Sequence, residues 1–320
     1  MEYLNSENRV IMKRKSKIIL SLVLAVNIFA GQVQGATLQQ AQEQTQEQKQ
    51  EYIKGEYKNL FIINQGIRRE YKLYLPKGMK KNAPLIFVLH GYGGNNNFDH
   101  LVFNELADKH GIAICYPLGS KDKRNHNCWN VGYPFQDTME VDDVQFLCDL
   151  ARQLQREYGL SRKQTFCTGM SNGGEMCYLL AYSSQKVFRA VAPVAGLTMA
   201  WMPESYSKPK KSPLFEIHGT EDRVSEWTGD LGNKGGWGAY IAVPDAIDFW
   251  VKRNNCPTHK QTELPLKHSK ANKVISHKYF DKKGRLSLQL YEIRGGGHTW
   301  GDNDIDTPAE IWEIFSNVVR

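Results

Sequence analysis

The chain has 320 residues, with 41 Lys and Arg against 34 Asp and Glu, for a formal net charge of +7. That length holds one large domain or two small ones, and with 41% hydrophobic residues an intrinsically disordered chain is excluded. Beyond residue 35 the cationic excess is mild and scattered, with Lys208, Lys210 and Lys211 clustered; this reads as a solvated face and argues against a nucleic-acid partner.

Residues 1–35 read as a cleavable export signal. Lys13, Arg14, Lys15 and Lys17 precede a mostly apolar run over 18–30, and Val33-Gln34-Gly35 places small residues ahead of Ala36. The run is shorter than the roughly 20 residues a membrane span needs. A secreted or periplasmic protein is therefore expected, with no membrane insertion after cleavage. Residues 36–56 are glutamine-rich and read as a solvated leader, which leaves 57–320 as the folded domain. Six cysteines follow the signal. Cys128 and Cys256 lie in polar, loop-like stretches and are the expected disulfide pair, since export permits one. No Cys or His spacing suits zinc, and neither a metal nor a cofactor is expected.

From residue 57 the pattern turns regular. Two strand-like runs, 60–63 and 67–75, flank Asn64-Gln65-Gly66 as a hairpin turn. The apolar run 84–89 suits a strand buried on both faces of a parallel sheet. A helix over 98–110, a strand over 112–116 and a helix built on Val144, Leu147, Ala151 and Leu154 follow, the last capped by Asp142 or Asp143 and stopped by Gly159. Strands are predicted at 164–168, 188–194, 213–217 and 286–293, with helices over 173–182 and around Trp250. The final helix has Thr307 as expected N-cap and Pro308 in its first position. Alternation of this length predicts an α/β fold with a mostly parallel central sheet and helices on both faces, in one domain.

Three motifs fall at predicted strand ends, where open α/β sheets place their sites. GMSNGG (169–174) leaves a strand and opens a helix, so Ser171 sits on a sharp turn that exposes its hydroxyl beside a helix N-terminus. LHGYGG (89–94) is a glycine loop whose Tyr92 N–H, with that of Asn172, could form an oxyanion hole. His90 reads as a loop-shaping residue. HGTEDRV (218–224) offers Glu221 and Asp222 as the acid, with Asp222 favoured by the apolar Val224 behind it; His218 reads as structural. A histidine then follows three glycines in GGGHTWG (295–301). The chain order Ser171, Asp222, His298 is that of α/β-hydrolase triads. The glycines are expected to let the His298 loop adopt positive φ and pass close to the nucleophile turn. Trp129, Trp227, Trp237 and Trp300 lie near these motifs and are candidate substrate-binding residues, and 229–238 is a glycine-rich candidate cover.

These four motifs, with CWN (128–130) and VDDVQFL (141–147), resemble the secreted esterase family that contains polyhydroxybutyrate depolymerases and feruloyl esterases, related to carbohydrate esterase family 1. The similarity runs from about Tyr57 to the end. It implies the α/β-hydrolase fold, with Ser171 as nucleophile, Asp222 as acid and His298 as base. The substrates implied are feruloylated polysaccharide first, acetylxylan next and polyhydroxybutyrate oligomers third, handled by a monomer or simple homo-oligomer. One departure is Ser225, where the family more often has proline. A non-catalytic carbohydrate-binding protein would need a broken triad, and all three members are present.

Overall fold

The computed structural model of the protein describes residues 59–97 and 103–318. The expected signal and leader, and the 98–102 start of the first predicted helix, lie outside these residues. The described chain opens on a hairpin, β1 (Asn59–Asn64) and β2 (Ile67–Tyr74). Gln65 and Gly66 both have positive φ, 53° and 76°, the geometry that matches the twist of two paired strands. β3 (Leu85–Leu89) is followed by α1 (Phe103–His110) and β4 (Ala113–Pro117). A small ladder of β5 (Ser120–Lys121) and β6 (Asn127–Cys128) precedes α2 (Asp143–Glu157). Next come β7 (Thr165–Met170), α3 (Asn172–Tyr182) and β8 (Ala190–Val194). β9 (Thr198–Met199), α4 (Trp201–Ser205) and β10 (Leu214–Gly219) lead to β11 (Tyr240–Ile241) and α5 (Val243–Asn254). β12 (Thr258–Glu263), β13 (Lys273–Phe280), β14 (Leu286–Arg294) and α6 (Thr307–Asn317) complete it.

Ten strands form one sheet in the order β1-β2-β4-β3-β7-β8-β10-β14-β13-β12. The six from β4 to β14 are parallel, and antiparallel pairs extend both ends. Alternation along the strands sorts side chains to two faces. Ile86, Val88 and Phe166 face α1 and α6, where Phe166 stacks on Phe315 at 4.5 Å. Cys167, on the other face, meets Cys177 of α3 at 3.7 Å. Tyr182 of α3 packs in turn against Trp250 of α5.

Asp142 caps α2, accepting from Gln145 N at 2.9 Å. The neighbouring Asp143 is buried in an ion pair with Arg69 (2.6 Å) and also accepts from Asn130 N, which ties the CWN loop to β2. Three expectations need correction. Asp306, not Thr307, caps α6; its carboxylate accepts from Ala309 N, while Thr307 Oγ1 donates to the Trp300 carbonyl. All six cysteines are free, so no Cys128–Cys256 bridge exists; Cys128 is buried and accepts from Gln136 Nε2. The 229–238 stretch is closed on itself by Asp230, which accepts from Gly235 N, and Asn233, which accepts from Gly238 N.

Candidate active site

Ser171 stands between β7 and α3 with φ 55° and ψ −123°, a conformation a non-glycine residue holds only when its surroundings over-determine it. They do so here. Its N–H donates to the Val194 carbonyl and its own carbonyl accepts from Glu175 N, both at 2.9 Å. The turn also needs its glycines. A Cβ on Gly173 would lie 2.6 Å from the Leu89 carbonyl oxygen, so only glycine lets α3 come this close to β3. Asn172 is the first residue of α3, and its N–H has no intrahelical acceptor.

The LHGYGG loop lies directly against this turn: a Cβ on Gly91 would sit 3.4 Å from Ser171 Cβ and 3.9 Å from its hydroxyl. His90 shapes the loop. It is buried, its Nε2 accepts from Gly119 N at 2.9 Å, and its Nδ1–H points at the Gly91 carbonyl. Burial drops its pKa to about 4, which keeps the ring neutral and unsuited to act as a base at neutral pH. Trp129 is not a substrate-binding residue. Its ring is fully buried and its Nε1–H donates to the His90 carbonyl. Its backbone clamps the Asn172 side chain, donating to Oδ1 at 2.7 Å and accepting from Nδ2 at 3.1 Å. The CWN loop thus fixes the residue after Ser171.

Asp222 and His298 are in contact: the imidazole Nδ1–H donates to Asp222 Oδ2 at 2.7 Å. Oδ1 accepts from the N–H groups of Val224 and Ser225, each at 2.8 Å. A proline at 225 would lack the second donor, so the departure at this position adds a bond to Asp222. Burial alone would raise the Asp222 pKa; the hydrogen bond and charge of His298, with the two backbone N–H groups, hold it below the ordinary carboxylate range. Glu221 is exposed. The His298 side chain is 21% exposed. His298 is hydrogen-bonded to Asp222 and not to Ser171 Oγ.

The glycines before His298 serve a different contact from the one expected. Gly295 alone of the three has positive φ, 83°. A Cβ on Gly219 would collide with the Gly296 carbonyl, and Glu221 N donates to that carbonyl at 2.9 Å. The His298 loop is therefore packed on the Asp222 turn. Gly297 has ordinary φ and open space around it.

Two of the other tryptophans border open space. Trp227, half-buried, lines a cavity of about 480 Å³ with Glu221, Asp222 and Glu226. Trp237 packs on Tyr92 (5.4 Å), Tyr133 (5.3 Å) and Phe135 (5.9 Å), an aromatic cluster continuous with the LHGYGG loop. Trp300 is buried in the core, its ring edge-to-face with Phe103.

Sequence reasoning missed Tyr133, Phe135, Glu175 and the Glu216–His218 pair. Glu175 lies beneath the nucleophile turn, fully buried, and its carboxylate accepts from the Tyr133 hydroxyl. Burial lifts its pKa to about 7 despite that bond. His218 faces Glu216 Oε1 (2.7 Å) through Nδ1 and the Ser225 carbonyl (2.8 Å) through Nε2, 3.7 Å from Asp222 Oδ2. A carbonyl only accepts, so Nε2 carries a proton and a second proton is shared with Glu216. Burial pushes the His218 pKa down, and Glu216 more than reverses this. A glutamate in the first turn of a predicted nucleophile helix, and charged residues alternating on a buried strand, were the available signals.

The fold and this constellation define a serine hydrolase of the α/β-hydrolase class. A family profile described as esterase, PHB depolymerase, matches residues 69–207. A probable feruloyl esterase C from Aspergillus niger is 30% identical over 256 residues, covering 77% of this chain and 83% of that protein. The chain therefore belongs to the esterase family of polyhydroxybutyrate depolymerases and feruloyl esterases. A bifunctional acetylxylan esterase/xylanase from Neocallimastix patriciarum is 22% identical over 263 residues, or 81% of this chain, which spans only 34% of that protein. Among solved structures, acetyl xylan esterase from Aspergillus awamori superimposes with a TM-score of 0.59 at 15% identity, over 82% of this chain and 99% of that one, which supports the fold.

Proposed function

We propose that the protein is an exported serine esterase that hydrolyses hydroxycinnamoyl esters on plant cell-wall polysaccharide. Ser171 attacks the ester carbonyl while His298 takes its proton. Asp222 holds His298 in the Nδ1–H tautomer and stabilises the imidazolium that forms. The N–H groups of Asn172 and Tyr92 stabilise the tetrahedral oxyanion, the alcohol leaves with the proton from His298, and water then hydrolyses the acyl-enzyme with His298 again as base.

The observation that carries the acyl preference is the pair of half-buried rings Tyr92 and Trp237, backed by the buried Tyr133 and Phe135 and continuous with the proposed oxyanion loop. A phenolic acyl group gains from such rings about 0.5–1.5 kcal/mol per pair beyond burial. A deacetylating activity on xylan is the second reading, favoured by the acetylxylan esterase/xylanase relative. Rates on methyl ferulate, 4-nitrophenyl acetate and a 3-hydroxybutyryl ester separate the readings. Ser171→Ala should lower all measurable rates by at least about 10³-fold; wild-type rates in that variant would remove Ser171 from the mechanism. Export is tested by N-terminal sequencing of the extracytoplasmic protein, which should begin at Ala36.

A further inference from the structure

A second groove lies at the opposite edge of the sheet from Ser171. Three cavities of about 250, 340 and 720 Å³ adjoin there: the first two share Arg162 and Lys186, and the last two share Gln155, Arg156 and Arg162. Parallel strands begin on one edge, so the residues that precede β3, β7, β8 and β10 are brought together. In this chain each of those entries is basic. Lys81 precedes β3, and Arg162 and Lys163 precede β7. Lys186 and Arg189 precede β8, and Lys210 and Lys211 precede β10. The last turns of α2 add Arg152 and Arg156. Cations at a helix C-terminus complement its dipole, but that reason does not extend to the strand entries.

The cavity walls hold nine Lys or Arg, all exposed, and no Asp or Glu. In a chain with 41 basic and 34 acidic residues, nine charges drawn at random would include about four acids. Among the described residues only Arg152 of the nine has an ion-pair partner, Asp149 at 2.9 Å. Between the cations lie neutral hydrogen-bonding groups such as Asn82, Gln164 and Ser212. The one aromatic in the walls, Phe188, is buried against Phe87, so no ring is offered for base stacking.

From these features we propose that the groove binds carboxylate-bearing polysaccharide, the uronate-substituted part of the polymer. This rests on the polysaccharide reading above. The cations pair with carboxylates, and the amides and hydroxyls with sugar hydroxyls. The groove and Ser171 are separated by the length of the strands, about 17–20 Å, so the groove retains the enzyme on its polymer and raises the local ester concentration without touching the chemistry.

The test uses the full chain and the triple variant Arg162→Glu, Lys186→Glu, Lys211→Glu. Wild type should be retarded in native gels containing polygalacturonate, released by 0.3 M NaCl, and unretarded by neutral arabinoxylan. The triple variant should lose at least about tenfold in polygalacturonate affinity while kcat/KM on methyl ferulate stays within twofold. Should charge reversal impair folding, Arg162→Gln with Lys211→Gln gives the same reading with a smaller loss. No retardation of wild type at low salt, equal retardation of wild type and variants, or tighter binding to duplex DNA than to polygalacturonate would each overturn the proposal. Polygalacturonate binding is scored separately from turnover, so absence of ferulate hydrolysis would count against the esterase reading alone.

Discussion

The two edges of the central sheet collect opposite kinds of residue. At the C-terminal edge, ionisable groups are buried and paired: Asp222 with His298, Glu216 with His218, Glu175 with Tyr133. At the N-terminal edge, the nine cations of the groove are exposed and, Arg152 aside, without ion-pair partners among the described residues. One parallel arrangement produces both, because it gathers every strand exit on one side and every strand entry on the other. The chemistry differs because low dielectric strengthens a buried pair and makes its proton position sensitive to neighbours, whereas exposed charges act at longer range and are screened by salt. The C-terminal edge should therefore respond to pH, and the N-terminal edge to ionic strength.

The largest effect should come from Asp222. Asp222→Asn keeps the side-chain shape but offers His298 a neutral partner, which no longer stabilises the imidazolium. We expect a loss on the order of 10³–10⁴-fold in kcat, measured on methyl ferulate, with polygalacturonate retardation unchanged. Glu221→Gln, one residue away but exposed, should stay within about twofold. If the two losses were exchanged, the acid would be Glu221.

Glu175 sharpens the pH side of the comparison. Its folded pKa of about 7 lies above the ordinary 4.5, so the folded protein binds this proton more tightly than the unfolded chain. The associated stability is fully present below about pH 4.5, is lost as pH rises to about 7, and changes no further above that. The shift corresponds to a range on the order of 3 kcal/mol. Glu175→Gln should flatten the fall in Tm between pH 5 and 7.5. Asp222, whose pKa is lowered, works in the opposite sense and only below the ordinary carboxylate range, outside this window. Parallel Tm profiles for wild type and variant would mean that Glu175 is already ionised at pH 5.

How far the sequence discloses these features follows from what each one depends on. The parallel strands from β3 to β10 are short apolar runs between turn residues, a local signal, and they were legible. β12 reads THKQTE and is exposed throughout; an edge strand that buries nothing carries no hydrophobic period, so it was not. Its partner β13 buries Val274, Ile275 and Ser276 in succession, without the alternation that marks a strand in sequence. Ser171, Asp222 and His298 stand on turns with their own glycine or acid signatures. Trp129 and Trp300 sit beside those signatures in sequence, but their rings turn inward, and proximity along the chain does not tell a wall from a pillar. The basic groove was the least legible, because its cations are separated by whole strands and helices. Only Lys208, Lys210 and Lys211 looked like a cluster, and of these Lys208 does not line the groove.

The smallest effect comes from two glycines that look equivalent in the sequence. Gly297 directly precedes His298, and a side chain there would seem certain to disturb the base. Yet its φ is ordinary and nothing approaches the position a Cβ would take. Gly219, at the end of β10, has no histidine beside it in the motif except the structural His218, but a Cβ there would meet the Gly296 carbonyl. Gly219→Ala should force the base loop off the acid turn and lower stability by about 1–3 kcal/mol, as overpacking does, with kcat falling more than KM rises because the Asp222–His298 bond is stretched. Gly297→Ala should leave kcat within twofold and raise stability by up to about 1 kcal/mol through the lost freedom of the unfolded chain. Thermal melts and methyl ferulate kinetics on the two variants decide between them. A Gly297→Ala variant worse than Gly219→Ala would mean that the His298 loop leans on the nucleophile turn after all, and that its contact with the acid turn is incidental.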